Sequence, residues 1–220
     1  MNPMRRESIK ELAGRLLGFT AAALLMVSTA SAQNQSASES AWRITASAGA
    51  YAPFSSLIKA ADANDTQLAA GPSFALEPQY IVNGNVSFYG SALLAFPTIK
   101  LGSSIQPAVT GPSNQVMLGI FTAGGVLSAG GGGIRPTLRL GGGLKFYSFD
   151  LVNADNQARP TVDLGVGVRG VGIGAIEGAV EIRYLLSSFD QAKLPTRGIT
   201  VQEQRQNDLV FSIGIGLRPH

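Results

Sequence analysis

Between residues 42 and 218 the chain falls into eight segments, seven of which alternate apolar and polar positions with a period of two. In 42–51 (WRITASAGAY) Trp42, Ile44, Ala46, Ala48 and Ala50 share one face, and Arg43, Thr45, Ser47, Gly49 and Tyr51 the other. Such alternation predicts a strand with one apolar side. The same reading covers 74–82, 86–96, 135–148, 160–171, 176–186 and 208–218. In 160–171, for example, Val162, Leu164, Val166 and Val168 alternate with Asp163, Gly165, Gly167 and Arg169. Residues 116–127 are apolar on both faces, which predicts a strand and leaves its phase open.

The connections alternate too. They are short near 83–85, 128–134 and 172–175, and long near 52–73, 97–115, 149–159 and 187–207. A soluble β-protein has no need of that rule. A membrane barrel has short turns on its periplasmic side and longer loops outside. A strand tilted by roughly 45° crosses a bilayer in about 9–11 residues, which these segments supply. The aromatics add to this reading. Trp42, Tyr80 and Phe88 fall at the short-turn end of the apolar face, and Phe74, Phe96, Phe146, Tyr184 and Phe211 toward the long-loop end. Two interfacial girdles would occupy those places.

Segments such as WRITASAGAY, VSFYGSALLAF and DLVFSIGIGLRPH resemble the small eight-stranded outer-membrane β-barrels of the OmpA-like and OmpX-like kind. The resemblance spans residues 41–220 and rests on the segment pattern, without a diagnostic motif. It implies an all-β fold: a closed antiparallel eight-stranded up-and-down transmembrane barrel in the bacterial outer membrane, with periplasmic termini. It also implies lipid as the surrounding medium and the export and barrel-assembly machinery as partners in biogenesis. Phe211, Ile213, Ile215 and Leu217 stand at alternate positions, as in the family's assembly signal. The ending Arg218-Pro219-His220 departs from the family's usual terminal aromatic.

Eight strands enclose a space that side chains can fill, or that can hold one small ligand. The inward face carries Glu77, Arg139, Lys145, Asp163, Arg169, Glu177, Glu181 and Arg183, with both signs present. Buried charges need partners, so a structural ion-pair network is predicted in the lumen. Opposed residues that share a face have numbers with an even sum. A sum of 346 for the sixth and seventh segments pairs Arg169 with Glu177 and Asp163 with Arg183, and leaves Gly172-Ile173-Gly174 as the turn. The same parity predicts a three-residue loop at Asn83-Gly84-Asn85. The inward glycines Gly141, Gly143, Gly165, Gly167, Gly214 and Gly216 make room for Arg139, Glu181 and Tyr89, or else leave a cavity for a small apolar ligand.

The N-terminus has a basic stretch with Arg5, Arg6, Lys10 and Arg15, an apolar core from Leu16 to Val27, and Ala30-Ser31-Ala32. This layout predicts a signal peptide over 1–32, cleaved near Ala32. Residues 33–40 (QNQSASES) read as a flexible lead-in, and 41–220 as the barrel. Removing 1–32 takes away four basic and two acidic residues and leaves 13 Lys+Arg against 12 Asp+Glu. No electrostatic case for nucleic acid remains.

Chemistry-bearing motifs are few. There is no cysteine, hence no disulfide framework and no thiolate metal site. The single histidine is His220, so neither a His-based hydrolase nor a His metal site is expected. Residues 165–170 (GVGVRG) match a dinucleotide-binding spacing, with Asp190 where a ribose-binding acid would stand. A helix would have to start at those glycines, but the strand alternation continues through them, so no cofactor is expected. The leading reading is a non-enzymatic outer-membrane barrel with a structural or surface-interaction role, its surface ligand unspecified. The second is a narrow channel or carrier for small apolar molecules. The third is a soluble periplasmic lipocalin-like binding barrel. The partly apolar start of the first long loop, Phe54-Ser55-Ser56-Leu57-Ile58, suggests a short helix or lid.

Overall fold

The computed structural model describes residues 42–59, 65–102, 114–129, 133–150, 155–171, 176–190, 192 and 204–217. The predicted signal peptide, the lead-in, the turn at 172–174, Arg218 and His220 lie outside them.

Eleven strands are present among the described residues. They are β1 (Trp42–Pro53), β2 (Ser56–Ile58), β3 (Thr66–Leu68), β4 (Gly71–Ile81), β5 (Val86–Ala95), β6 (Ile99–Lys100), β7 (Val116–Ser128), β8 (Ile134–Phe149), β9 (Gln157–Val171), β10 (Ile176–Phe189) and β11 (Gln204–Leu217). Eight of them close into a barrel in the order β1-β11-β10-β9-β8-β7-β5-β4, every pairing antiparallel, with β4 returning to β1. One path of opposed residues runs Ala52, Leu209, Tyr184, Leu164, Leu140, Gly125, Phe88, Tyr80, Trp42. A full circuit therefore returns to β1 ten residues from its start. With standard strand spacings this stagger gives a tilt of about 40°.

The polarity of the two faces is the reverse of a soluble domain. Outward positions are exposed and apolar: Leu140 is 62 %, Ile213 59 % and Phe88 58 % accessible. Inward positions hold the buried charges and hydroxyls, among them Arg139, Asp163, Lys145 and Thr122. Alternation put each named side chain of the seven periodic segments on its observed face. The phase of β7 is now fixed: Leu118, Ile120, Thr122 and Val126 point inward and Phe121, Ala123 and Leu127 outward. Sequence could not decide it because the lumen beside Leu118 and Ile120 is itself apolar.

Two connections expected as loops contain structure. β2, β3 and β6, from the first and second long connections, form a separate three-stranded sheet. The Leu57 region is thus a strand and not a helix. Leu57, Ile58, Leu68 and Ile99 of this small sheet are buried in one apolar cluster with Tyr51, Leu93, Leu118, Ile120, Leu185 and Val210 from the barrel wall. The sheet caps the end of the barrel that carries the long connections, here termed the loop end. Tyr147, Phe149 and Phe189 complete the cluster with edge-to-face and stacked ring contacts at 5.2–6.2 Å.

One predicted register needs correction. β9 and β10 pair with a sum of 348, not 346, so Arg183 stands opposite Gly165 and Glu181 opposite Gly167. A shift of two residues preserves both faces, so face parity could not tell the two apart. The Asn83-Gly84-Asn85 loop is as predicted: Val82 donates its N–H to the Val86 carbonyl at 3.0 Å, and Asn83 Oδ1 accepts from the N–H groups of Asn85 and Val86, each at 2.9 Å.

Candidate functional site

Among the described residues the lumen gathers the buried charged side chains, and it has two layers. The layer at the turn end is ionic. Arg139, from β8, is its hub. Nη1 donates to Glu77 Oε2 of β4 at 2.7 Å and to Glu181 Oε2 of β10 at 2.7 Å. Its Nη2 lies 3.1 Å from Asp163 Oδ2 of β9, and its guanidinium stacks 3.9 Å from the Tyr89 ring of β5. A single side chain thus joins four other strands across the barrel. Above it Arg183 grips Asp163 through Nε at 3.2 Å and Nη2 at 2.7 Å, and donates to Ser91 and Thr122, each at 3.1 Å. Tyr89 Oη and Thr122 Oγ1 also donate to Asp163 Oδ2, at 3.0 and 2.9 Å. Below the hub, Arg169 donates to Gln79 and to Glu77, the latter at 3.2 Å. Glu177 takes Arg43 and Arg135, each at 3.0 Å.

Arg169 and Glu177 therefore do not meet, which corrects the predicted pair. Arg169 reaches β4 instead, and Glu177 reaches β1 and β8. Asp163 and Arg183 do form an ion pair, although they are diagonal rather than opposed. Lys145 is separate from this network. It sits in the apolar layer, with Nζ 2.5 Å from Asp208 Oδ2, donating to Tyr51 Oη at 2.9 Å and lying 4.7 Å from the Tyr147 ring. The predicted buried ion-pair network is present in the turn-end half of the lumen, while apolar side chains surround the Lys145–Asp208 pair in the loop-end half. Gln79, Asp208 and Arg135 were not singled out as network members. Their only signal was an inward, polar position.

The inward glycines have steric reasons. A Cβ on Gly165 would lie 2.5 Å from Arg139 Cδ, and one on Gly141 would collide with Tyr89 Oη. These two positions pass the long side chains of the hub. Among the described residues, a cavity of about 20 Å³ lies between Glu77, Arg169, Glu181 and Arg183, with hydroxyls from Thr45 and Ser212. That is room for a water molecule and little more. Residues 165–170 lie within β9, and Asp190 pairs with Arg159 at 2.8 Å. No helix begins at these glycines, so the nucleotide reading has no geometric basis. Among the described residues no group of three or more His, Cys, Asp or Glu could hold a metal.

On the outer face Phe74, Tyr80, Phe88, Phe96 and Phe211 are exposed, while Trp42, Phe146 and Tyr184 are half-buried. Trp42 packs edge-on against Tyr80 at 5.3 Å, and Phe146 against Phe121 at 5.8 Å.

No protein-family model and no curated protein matches the sequence. Solved structures do match. Neisserial surface protein A aligns over 83 % of this chain and 99 % of its own, with 16 % identity and a TM-score of 0.55. The outer membrane protein OprG from Pseudomonas aeruginosa aligns over 83 % of this chain and 98 % of its own, with 13 % identity and a TM-score of 0.51. The fold is that of the small eight-stranded outer-membrane barrels. At these identities the likeness is one of architecture. Within that architecture, this outer-membrane-type barrel carries its own buried salt-bridge network and its own loop-end cap.

Proposed function

We propose that this chain is a non-enzymatic protein of the bacterial outer membrane, a closed barrel that anchors a structured outer cap in a structural or surface-interaction role. The observation that carries this reading is the filled lumen. An ionic layer, an apolar layer and the cap follow one another along the axis, and the cavity between the described residues of the ionic layer is about 20 Å³. A channel needs a continuous water path. A carrier for small apolar molecules needs an apolar cavity, whereas this one is lined by Glu77, Arg169, Glu181 and Arg183. The exposed apolar outer face supports lipid as its surroundings. The structural role assigned to Arg139, Glu77, Glu181, Asp163, Arg183, Arg169, Glu177 and Lys145 is to fill and fix the lumen. Trp42, Tyr80 and Phe88 are assigned to the periplasmic girdle, and Phe74, Phe96, Phe146, Tyr184 and Phe211 to the outer one. Short turns at the end where β1 begins support periplasmic termini. Export through a signal peptide cleaved near Ala32, followed by insertion by the assembly machinery, completes the proposal.

Cell fractionation tests it. The chain should be found in the outer-membrane fraction, need detergent for extraction, begin near Gln33 on N-terminal sequencing, and run faster on a gel unheated than boiled. Ready solubility without detergent contradicts the membrane reading and favours a periplasmic barrel.

A further inference from the structure

Seven of the eight seams join strands linked by a single connection, whose length limits the register between them. The eighth, β1 against β11, joins the two ends of the barrel sequence, and no connection sets it. A slip by two residues there keeps every side chain on its face. Side chains along the middle of the seam resist it little. Inward Thr45 and Ser47 stand opposite Gly216 and Gly214. On the outer face, Ala48 meets apolar surroundings whether Ile213, Ile215 or Phe211 is opposite. At the loop end Phe54 donates its N–H to the Asn207 carbonyl at 2.8 Å, extending the ladder. A backbone bond of that kind re-forms after a slip, while Gln206 Nε2 donates to the Ser56 carbonyl, the Asn207 N–H to Ser55 Oγ, and Lys145 to both Tyr51 and Asp208, which tie the loop end of the seam.

Arg43 is different. It starts on β1 and its Nε lies 3.0 Å from Glu177 Oε2 on β10, although β11 runs between them. Gly216, opposite both Thr45 and Glu177, leaves the passage: a Cβ there would sit 3.2 Å from Thr45 Oγ1 and 3.4 Å from Arg43 Cδ. Arg43 Nη1 also donates to Gln79 Oε1 of β4 at 3.2 Å. The arm ties β4, β1 and β10 together over the closing seam. A two-residue slip that puts Ala48 opposite Ile215 would carry it about 7 Å further along the strand from the row of Gly216 and Glu177, out of reach of the carboxylate, whereas the opposite slip would bring it level with Glu177.

We infer that Arg43 and Glu177 form a clasp that bars closure two residues toward the pairing of Ala48 with Ile215, and so bounds the ten-residue stagger on that side. Arg43 acts as a positioning residue. Without the clasp, closure in that register gives a barrel of different stagger and girth.

The chain has no cysteine, so an engineered pair reports the register directly. Ala48→Cys with Ile213→Cys reads the observed pairing. Ala48→Cys with Ile215→Cys, or with Phe211→Cys, reads a slip in each direction. Directly opposed strand positions lie within disulfide range and those two further along do not. Oxidation of outer membranes from cells making the full chain, read on the unheated folded band, should link only the first pair. In Arg43→Gln and in Glu177→Gln the ratio of Ala48–Ile215 links to observed links should rise at least about tenfold. Arg43→Lys, which keeps the charge, should restore the single link. An unchanged pattern in either glutamine variant overturns the clasp and assigns the register to the close approach of Gly49 to the Phe211 backbone. Loss of the folded band in both glutamine variants overturns it as well, because a register clasp redirects closure without preventing it.

Discussion

Arg139 and its glycine partners show how much one inward position decides. The hub compensates Glu77, Glu181 and Asp163 at once, and all three point into the lumen. Arg139→Met removes the shared cation and leaves carboxylates buried without it. The expected cost is about 3–5 kcal/mol, read as a lower urea midpoint for the folded barrel in detergent; a change below a few tenths would mean that the layer is effectively solvated. Gly141→Ala places a methyl group on Tyr89 Oη, which itself donates to Asp163. It should destabilise by about 1–3 kcal/mol, as overpacking does, and the same midpoint checks it. Face parity in the sequence brought these residues inside. It did not name their partners, because which side chains meet across a lumen depends on the stagger, a property of all eight seams together. The corrected pairs follow from that: Arg169 finds Glu77 and Gln79, and Glu177 finds Arg43 and Arg135.

Strands were legible where the chain must present opposite polarity on opposite faces for a full crossing. β9 and β11 are examples: Val162 to Val168 and Phe211 to Leu217 alternate without a break. β7 was not, since its inward residues face an apolar layer. The cap was not either, because strands of two or three residues are too short to show any period. Both kinds of element can be tested. Ile213 lies on the outer face midway along β11, between Phe211 and Leu217. Ile213→Arg should cost about 2–4 kcal/mol in lipid, as a charge near the bilayer midplane does. Folding titrations in vesicles measure this, and a neutral result would deny that the face meets lipid. Leu57 anchors the cap in the apolar cluster with no exposed surface. Leu57→Ala should weaken the cap by about 2–5 kcal/mol. Trypsin cleavage at exposed Lys59 should then accelerate, with the faster unheated gel mobility of the barrel kept. If barrel and cap are lost together, the cap is not a separate unit of stability.

At the scale of the whole molecule, an exposed apolar wall surrounds a filled interior. Closing the sheet removes every edge that hydrocarbon could not satisfy. The charges that such a wall cannot carry go inside, where they neutralise one another. The loop-end half of the interior is given to an apolar root that holds the small sheet in place. On the proposed reading this arrangement is a rigid anchor that presents an outer surface, with no path for solute. Ion conductance through planar bilayers containing the purified chain, with the unheated gel band confirming that it is folded, tests this most directly. The account predicts a baseline indistinguishable from protein-free lipid. Reproducible unitary current steps from the folded protein would contradict it.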